Sequence, residues 1–295
     1  MKYVFHEFKS IWPVSSHKNL ESLITGVRYL YYPDDFKNIA TFRNPETFVV
    51  VMRSGDLKSM SEIIKAGFIH IVQINRPDFA QEILTSALMI ARPMSFLNNP
   101  LPFILSGGTT TEEDKNSELI LPFSSTENRG FLLTELEDFL KKKPKTAGVL
   151  DLCIQTADEL ITNALFHAPV NSKGEHIYQY VHRTEVIRLP DDKKANLFCK
   201  FTDYRIVVGC EDFYGSINRG AVINHLVATL EPEQIKPKSG LNSGAGMGLR
   251  FMIGNSANFY MYCNPQKQTL VACAFLTEGM KANLNALKNI HIGLR

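Results

Sequence analysis

The sequence predicts an α/β protein in two parts. A parallel-sheet domain comes first, then an α/β sandwich with one mixed sheet and helices packed on one face. Three observations carry this reading. Residues 47–92 alternate strand-like and helix-like segments, the pattern of parallel strands joined by helical crossovers. Residues 106–118, SGGTTTEEDKNSE, are polar, rich in glycine and threonine and without an apolar period, which marks a linker. Beyond it, two helical segments precede a mixture of strand-like and helical runs that closes on two adjacent strands. The chain of 295 residues also has the length of roughly two domains. The expected boundaries are 1–105, a linker at 106–118, a second domain at 119–280 and a helical tail at 281–295.

In the first part, TFVVVMR at 47–53 is a short β-branched run, hence a buried strand. DLKSMSEIIKAG at 56–67 has a helical period and stops on Gly67, a good helix-ending residue. FIHIVQI at 68–74 is a second strand. Residues 76–92 form an amphipathic helix with Pro77 near its start.

In the second part, ELILPF at 118–123 is strand-like, and residues 126–142 are helical with Thr126 as N-cap. Lys141, Lys142 and Lys143 follow at the helix end, where cations suit the helix dipole. GVLDLCIQTADELITNALFHA is a second helix, and strands are expected at 197–204 and 205–212. A helix fits 218–230, a glycine-rich turn opens another at GAGMGLRFMIGN, and NFYMYCN and TLVACAFL close the domain as strands.

Composition narrows the function. With 44% hydrophobic and 21% charged residues, the chain buries a core without staples. A net charge of +2, mixed in sign, argues against nucleic acid and anionic membrane as partners. No stretch approaches the ~20 apolar residues of a membrane span, and the N-terminus shows no signal peptide. The five cysteines have no CxxC pair and sit in apolar stretches, so they read as core residues of a cytoplasmic protein.

One helix stands out. In DELITNALFHA, residues 158–168, Glu159, Asn163 and His167 recur every four residues along one face. Asparagine is a poor mid-helix residue, because its amide competes for backbone hydrogen bonds. Downstream, Glu211-Asp212 ends an apolar strand and Gly215 follows. A carboxylate so placed can receive an exocyclic amine. Gly244, Gly246 and Gly248 precede a helix, where bare N–H groups and the positive dipole end suit phosphates.

Two resemblances follow from these motifs. VVVMRSGDLKSMSEIIKAGFIHIVQINRPDF resembles the last part of a response-regulator receiver domain, with its flavodoxin-like fold. Arg76 stands where that family has lysine, and Asp34 and Asp35 do not align with its phosphoacceptor, so a receiver-like domain that does not accept phosphate is expected. The second half, residues 118–278, resembles the Bergerat-fold ATPases, the group of gyrase and the histidine kinases. Within them it looks most like the serine kinases that act as anti-sigma factors. ADELITNALFHA matches their N box, EDFYGSI occupies the G1 box, GAGMGL matches the G2 box and QTLVACAFL the final strand.

The resemblance implies ATP and Mg²⁺ as cofactors. Asn163 would coordinate Mg²⁺ and Glu159 would act as general base. Asp212 would accept the adenine amino group, Thr269 would support that contact, and Gly215 would belong to the cofactor-binding turn. Gly244, Gly246 and Gly248 would cradle the phosphates, and residues 218–243 would form a lid. One departure stands out: Tyr214 and Ser216 replace the two G1 glycines, and Tyr214 is expected to crowd the base.

A histidine autokinase needs a phosphoacceptor histidine ahead of its ATPase domain, and none occurs between His70 and His167. Gyrase-type machines need a transducer domain, for which too little chain follows residue 280. The expected function is a serine/threonine protein kinase of anti-sigma type, acting on a small regulatory protein such as an anti-sigma antagonist or a sigma factor and pairing as a homodimer. The alternative is a nucleotide-dependent interaction module without phosphoryl transfer.

Overall fold

A computed structural model describes residues 26–54, 56–76, 78–98, 117–202, 205–231, 247–277 and 288–294. The fold is α/β and the strand pairing over the chain is mixed. The described residues fall into two units. The first comprises 26–98, 226–231 and 288–293, and the second nearly all of the rest. The first unit therefore includes two segments from beyond the expected linker.

In the first unit, β1 (Arg28–Tyr32), β2 (Phe48–Met52) and β3 (His70–Gln73) pair in parallel. The helix α1 (Leu57–Lys65) connects β2 to β3, and α2 (Phe79–Ala91) and α3 (Pro93–Asn98) follow. Every residue of FVVVM in β2 is buried, as a strand covered on both faces requires. Val49, Val51, Val72, Ile83, Leu84 and Ala87 are the centre of this core.

Local chemistry sets the ends of α1. Asp56 accepts from the Ser59 backbone N–H at 2.8 Å, and Ser59 reciprocates toward the Asp56 backbone, a capping box. Gly67 ends the helix at φ 93°, a conformation that costs glycine nothing, and its N–H donates to the Ile64 carbonyl at 2.9 Å.

The helix α2 departs from its expected amphipathic pattern: Phe79 through Met89 are all buried. Its polar residues are accommodated by specific partners. Glu82 lies 2.7 Å from His291 Nε2, and the Ser86 hydroxyl lies 2.7 Å from His291 Nδ1. His291 belongs to a strand, not to the expected helical tail; this strand, Asn289–Leu294, lies antiparallel to β3. Burial, with the charge of nearby His291, holds His70 down at a pKa of about 3.

The second unit opens with β4 (Glu118–Phe123). The expected Thr126 cap is corrected here: Ser125 caps a short 3₁₀ turn that runs into α4 (Arg129–Lys141). Thr126 instead bridges to the backbone of Glu185 and Ile187. Then come α5 (Leu150–Thr162), β5 (Ala195–Thr202), β6 (Arg205–Asp212), α6 (Arg219–Leu230, whose residues from Leu226 on belong to the first unit), α7 (Met247–Asn255), β7 (Asn258–Asn264) and β8 (Gln268–Leu276). The tail strand Asn289–Leu294 is β9.

The strand order in this unit is β4-β5-β6-β8-β7, and these four ladders are antiparallel. Strand β7 skips one position and the hairpin return β8 fills it, so β6 and β7 run the same way without touching. Helix α5 packs on β5, β6 and β8, with α4 and α7 against it. The five cysteines are free and buried, as a core role requires. Among the described residues no helix is long and apolar enough to cross a membrane.

At Gly67 a Cβ would meet Pro45 Cγ at 2.7 Å and demand a positive φ of a residue with a side chain. Gly67→Ala is expected to destabilise the chain by about 1–3 kcal/mol, read as a lower urea midpoint at unchanged slope.

Candidate functional site

The helix α5 presents the first polar groups. Cys153, Ala157, Leu160 and Ile161 are buried and anchor it to the sheet, which leaves Glu159 half-buried on another side. The sequence reading assumed an unbroken α-helix. Instead Asn163–His167 is a π-helical turn, closed by the Ala168 N–H on the Asn163 carbonyl at 2.8 Å. On a straight α-helix, positions four apart drift around the axis at about 100° per residue. The wider turn advances less per residue and takes the drift back. Glu159, Asn163 and His167 consequently border one cavity. Such bulges recur where a helix carries function.

Strands β6 and β8 supply the next group. Their register sets Asp212 opposite Thr269 and Cys210 opposite Val271. The carboxyl of Asp212 is buried and accepts from the Tyr214 N–H at 3.0 Å and the Gly215 N–H at 3.4 Å. Burial nonetheless pushes its pKa up to about 6, against those hydrogen bonds and that of Thr269, which favour the carboxylate.

The turn after β6 corrects the expected crowding. Tyr214 is buried away from the cavity, under Lys193, whose ammonium sits 5.5 Å from the ring centre. The chain can turn this way because Gly215 takes φ 60° and lies against the backbone of Asn264, Gln266 and Lys267. A side chain has no room there. Ser216, the other substitution, does line the cavity.

Gly248, in the first turn of α7, touches the Glu159 carboxylate so closely that a Cβ would collide with it. Gly244 and Gly246 lie outside the described residues, as does the part of the expected lid beyond Glu231. The earlier part of that lid is the regular helix α6.

These elements enclose a cavity of about 330 Å³, a size within the ordinary range for small-molecule sites. Its wall includes Glu159, Asn163, Asp212, Gly248 and Thr269, five of the residues singled out from sequence. Gly215 supports the wall from behind. The sequence reading missed Met261, which adds apolar surface, and His176 and Arg183, which come from the long connection between α5 and β5. That connection has no apolar period, so nothing in its pattern marks them; only its mixture of aromatic and basic residues, HIYQYVHR, is a cue. Among the described residues the side chains of Glu159, Asn163 and Arg183 line the cavity without a protein hydrogen bond. No group of three or more histidine, cysteine or acidic side chains that could hold a metal ion occurs among the described residues.

Asp212 yields a pH test. The folded chain holds this proton more tightly than the ordinary value of 3.8, so ionisation opposes folding. The cost is absent below about pH 3.8 and complete above about pH 6. Asp212→Asn is expected to raise unfolding free energy at pH 7.5 by about 2 kcal/mol. The gain should vanish by pH 3.8 in denaturant titrations at the two pH values.

Comparison with known protein families, curated proteins and solved structures finds no match, so the meaning of the site rests on its own chemistry.

Proposed function

We propose that the second unit binds Mg–ATP and that the protein is a regulatory serine/threonine kinase of anti-sigma type. The observation that carries this is the shared cavity. Four separate segments, α5, the end of β6, the start of α7 and the start of β8, bring Glu159, Asn163, Asp212, Gly248 and Thr269 together. In this reading the Asp212 carboxylate accepts the adenine amino group and Thr269 supports that contact. Met261, Val271 and Cys210 give the apolar wall that a base ring buries against.

The residues fit the metal as well. The Asn163 amide oxygen is a hard oxygen donor with no protein hydrogen bond among the described residues. A magnesium ion takes few protein ligands and keeps water and phosphate for the rest. Bound there, it would neutralise phosphate charge. Glu159 would then take the proton from an attacking hydroxyl. The substrate would be a small regulatory protein, an anti-sigma antagonist or a sigma factor.

A second reading draws on one contact. The Glu159 carboxylate lies against Gly248. If that packing holds Glu159 against α7 with nucleotide bound, the carboxylate cannot reach an attacking hydroxyl, and the protein switches partners by nucleotide occupancy alone.

Calorimetric titration separates the outcomes. Wild type is expected to bind ATP with Mg²⁺ more tightly than without it, and Asn163→Ala to lose that difference. Absence of ATP binding by wild type would sink the proposal. Glu159→Ala should keep ATP binding; in a phosphotransfer assay with the protein substrate it should abolish turnover for a kinase, whereas wild type that binds but never transfers points to the switch.

A further inference from the structure

We propose that Arg183, with His167 and His176, forms a phosphate-binding end of the cavity, receiving the terminal phosphates of the nucleotide. This rests on the nucleotide reading above and gives a job to a segment that reading leaves unused.

The cavity wall carries two carboxyl groups, Glu159 and Asp212. A polyphosphate adds several more negative charges. Arg183 is the only lysine or arginine on that wall among the described residues. Among the described residues it makes no ion pair. Other arginines of this unit are engaged: Arg129 lies 2.5 Å from Asp158 and Arg188 lies 2.8 Å from Glu127. A guanidinium offers five donors in a planar fork that matches phosphate oxygens two at a time.

Geometry groups the three side chains. The π turn swings His167 into the cavity, and the connection after it returns through a bridge between Val170 and His176. Arg183 and His176 both act on the His167 ring, which burial first and these neighbours next hold below its ordinary pKa. A neutral His167 still donates one ring N–H, and a dianionic neighbour would draw a second proton to it. The acceptor for adenine, Asp212, comes from the end of β6, where the nearby charge acting on it is Glu211. The wall thus carries both kinds of group, carboxyl acceptors at Glu159 and Asp212 and donors at Arg183, His167 and His176. A nucleotide offers the complementary groups, an amino donor on the base and acceptor oxygens on the phosphates.

Calorimetry on the full chain tests this with three probes: adenosine, ATP and inorganic tripolyphosphate, each with Mg²⁺. Arg183→Gln is expected to weaken ATP at least tenfold and tripolyphosphate likewise, while leaving adenosine within twofold. His176→Gln should weaken ATP less, and Arg183→Lys should restore part of the loss. An equal loss for ATP and adenosine, or no loss for either, overturns the assignment. Wild type that binds adenosine as tightly as ATP overturns it too, yet leaves the adenine site standing. Tripolyphosphate binding that depends on Arg183, without adenosine binding, supports the anion site and removes the adenine reading. Binding of none of the three removes both. Unchanged thermal unfolding of Arg183→Gln, expected for an exposed side chain, separates lost contact from lost fold.

Discussion

The antiparallel register between β6 and β8 is the constraint on which the candidate site depends. Side chains alternate faces along a strand, so a slip of one residue exchanges the faces completely. In the observed register Asp212 and Thr269 face each other beside α5. One residue away, Glu211 points to the opposite face, where Asn196 donates to it at 3.1 Å and Gln268 also donates. Each acid of the Glu211-Asp212 pair has partners suited to its own face. A slip would bury Glu211 without them and would set Asp212 among groups arranged for a longer side chain. The hydrogen bonds that define one face therefore hold the other in place.

What α5 contributes follows from that sheet. Its apolar side is fixed by β5, β6 and β8, and its polar side has no freedom to rotate. Cys153 lies close to Cys199 and Cys273, and burial raises all three thiols well out of the range in which they would react. These cysteines fill space in the core. The π turn then ends the helix without releasing it, because the i to i+5 bond at Ala168 keeps the backbone paired while His167 rotates inward. Glycine at position 248 lets α7 approach until only the Glu159 carboxylate separates the two helices at that point. Packing and site are one set of contacts here.

The parts legible in sequence were those whose signal is local. Strand β6 was expected at 205–212 and occupies Arg205–Asp212, because a β-branched run between polar turns allows little else. Glu159 and Asn163 drew notice as polar residues at helical spacing among alanine and leucine, and the resemblance of ADELITNALFHA to an N box, not the spacing alone, made them site candidates. Four features escaped, each for a physical reason. The strand β9 was hidden because its partner β3 lies far off in sequence and the preceding residues have helical composition; only Ile290 and Ile292, alternating with His291, hint at a strand. The burial of α2 was hidden because its polar residues, Glu82 and Ser86, meet the same distant histidine. Tyr214 was expected in the cavity because a motif gives the position of a residue and not the direction of its side chain. Arg183 was missed because a long irregular connection has no period to read.

That last omission bears on how the cavity could work. Of the residues noticed in sequence, those on the described wall include two carboxyl groups, Glu159 and Asp212, and no lysine or arginine. In the proposed reading a polyphosphate beside them calls for added positive charge, from a metal ion, from the protein or from both. In the proposed reading a metal ion alone would be held by Asn163 and by little else of the protein, a sparse set for a small hard cation. If Arg183 and two imidazoles stand beside it as proposed, the phosphate chain itself would become a shared ligand. The irregular connection after the π turn would then be the element that makes the wall complementary to a polyphosphate.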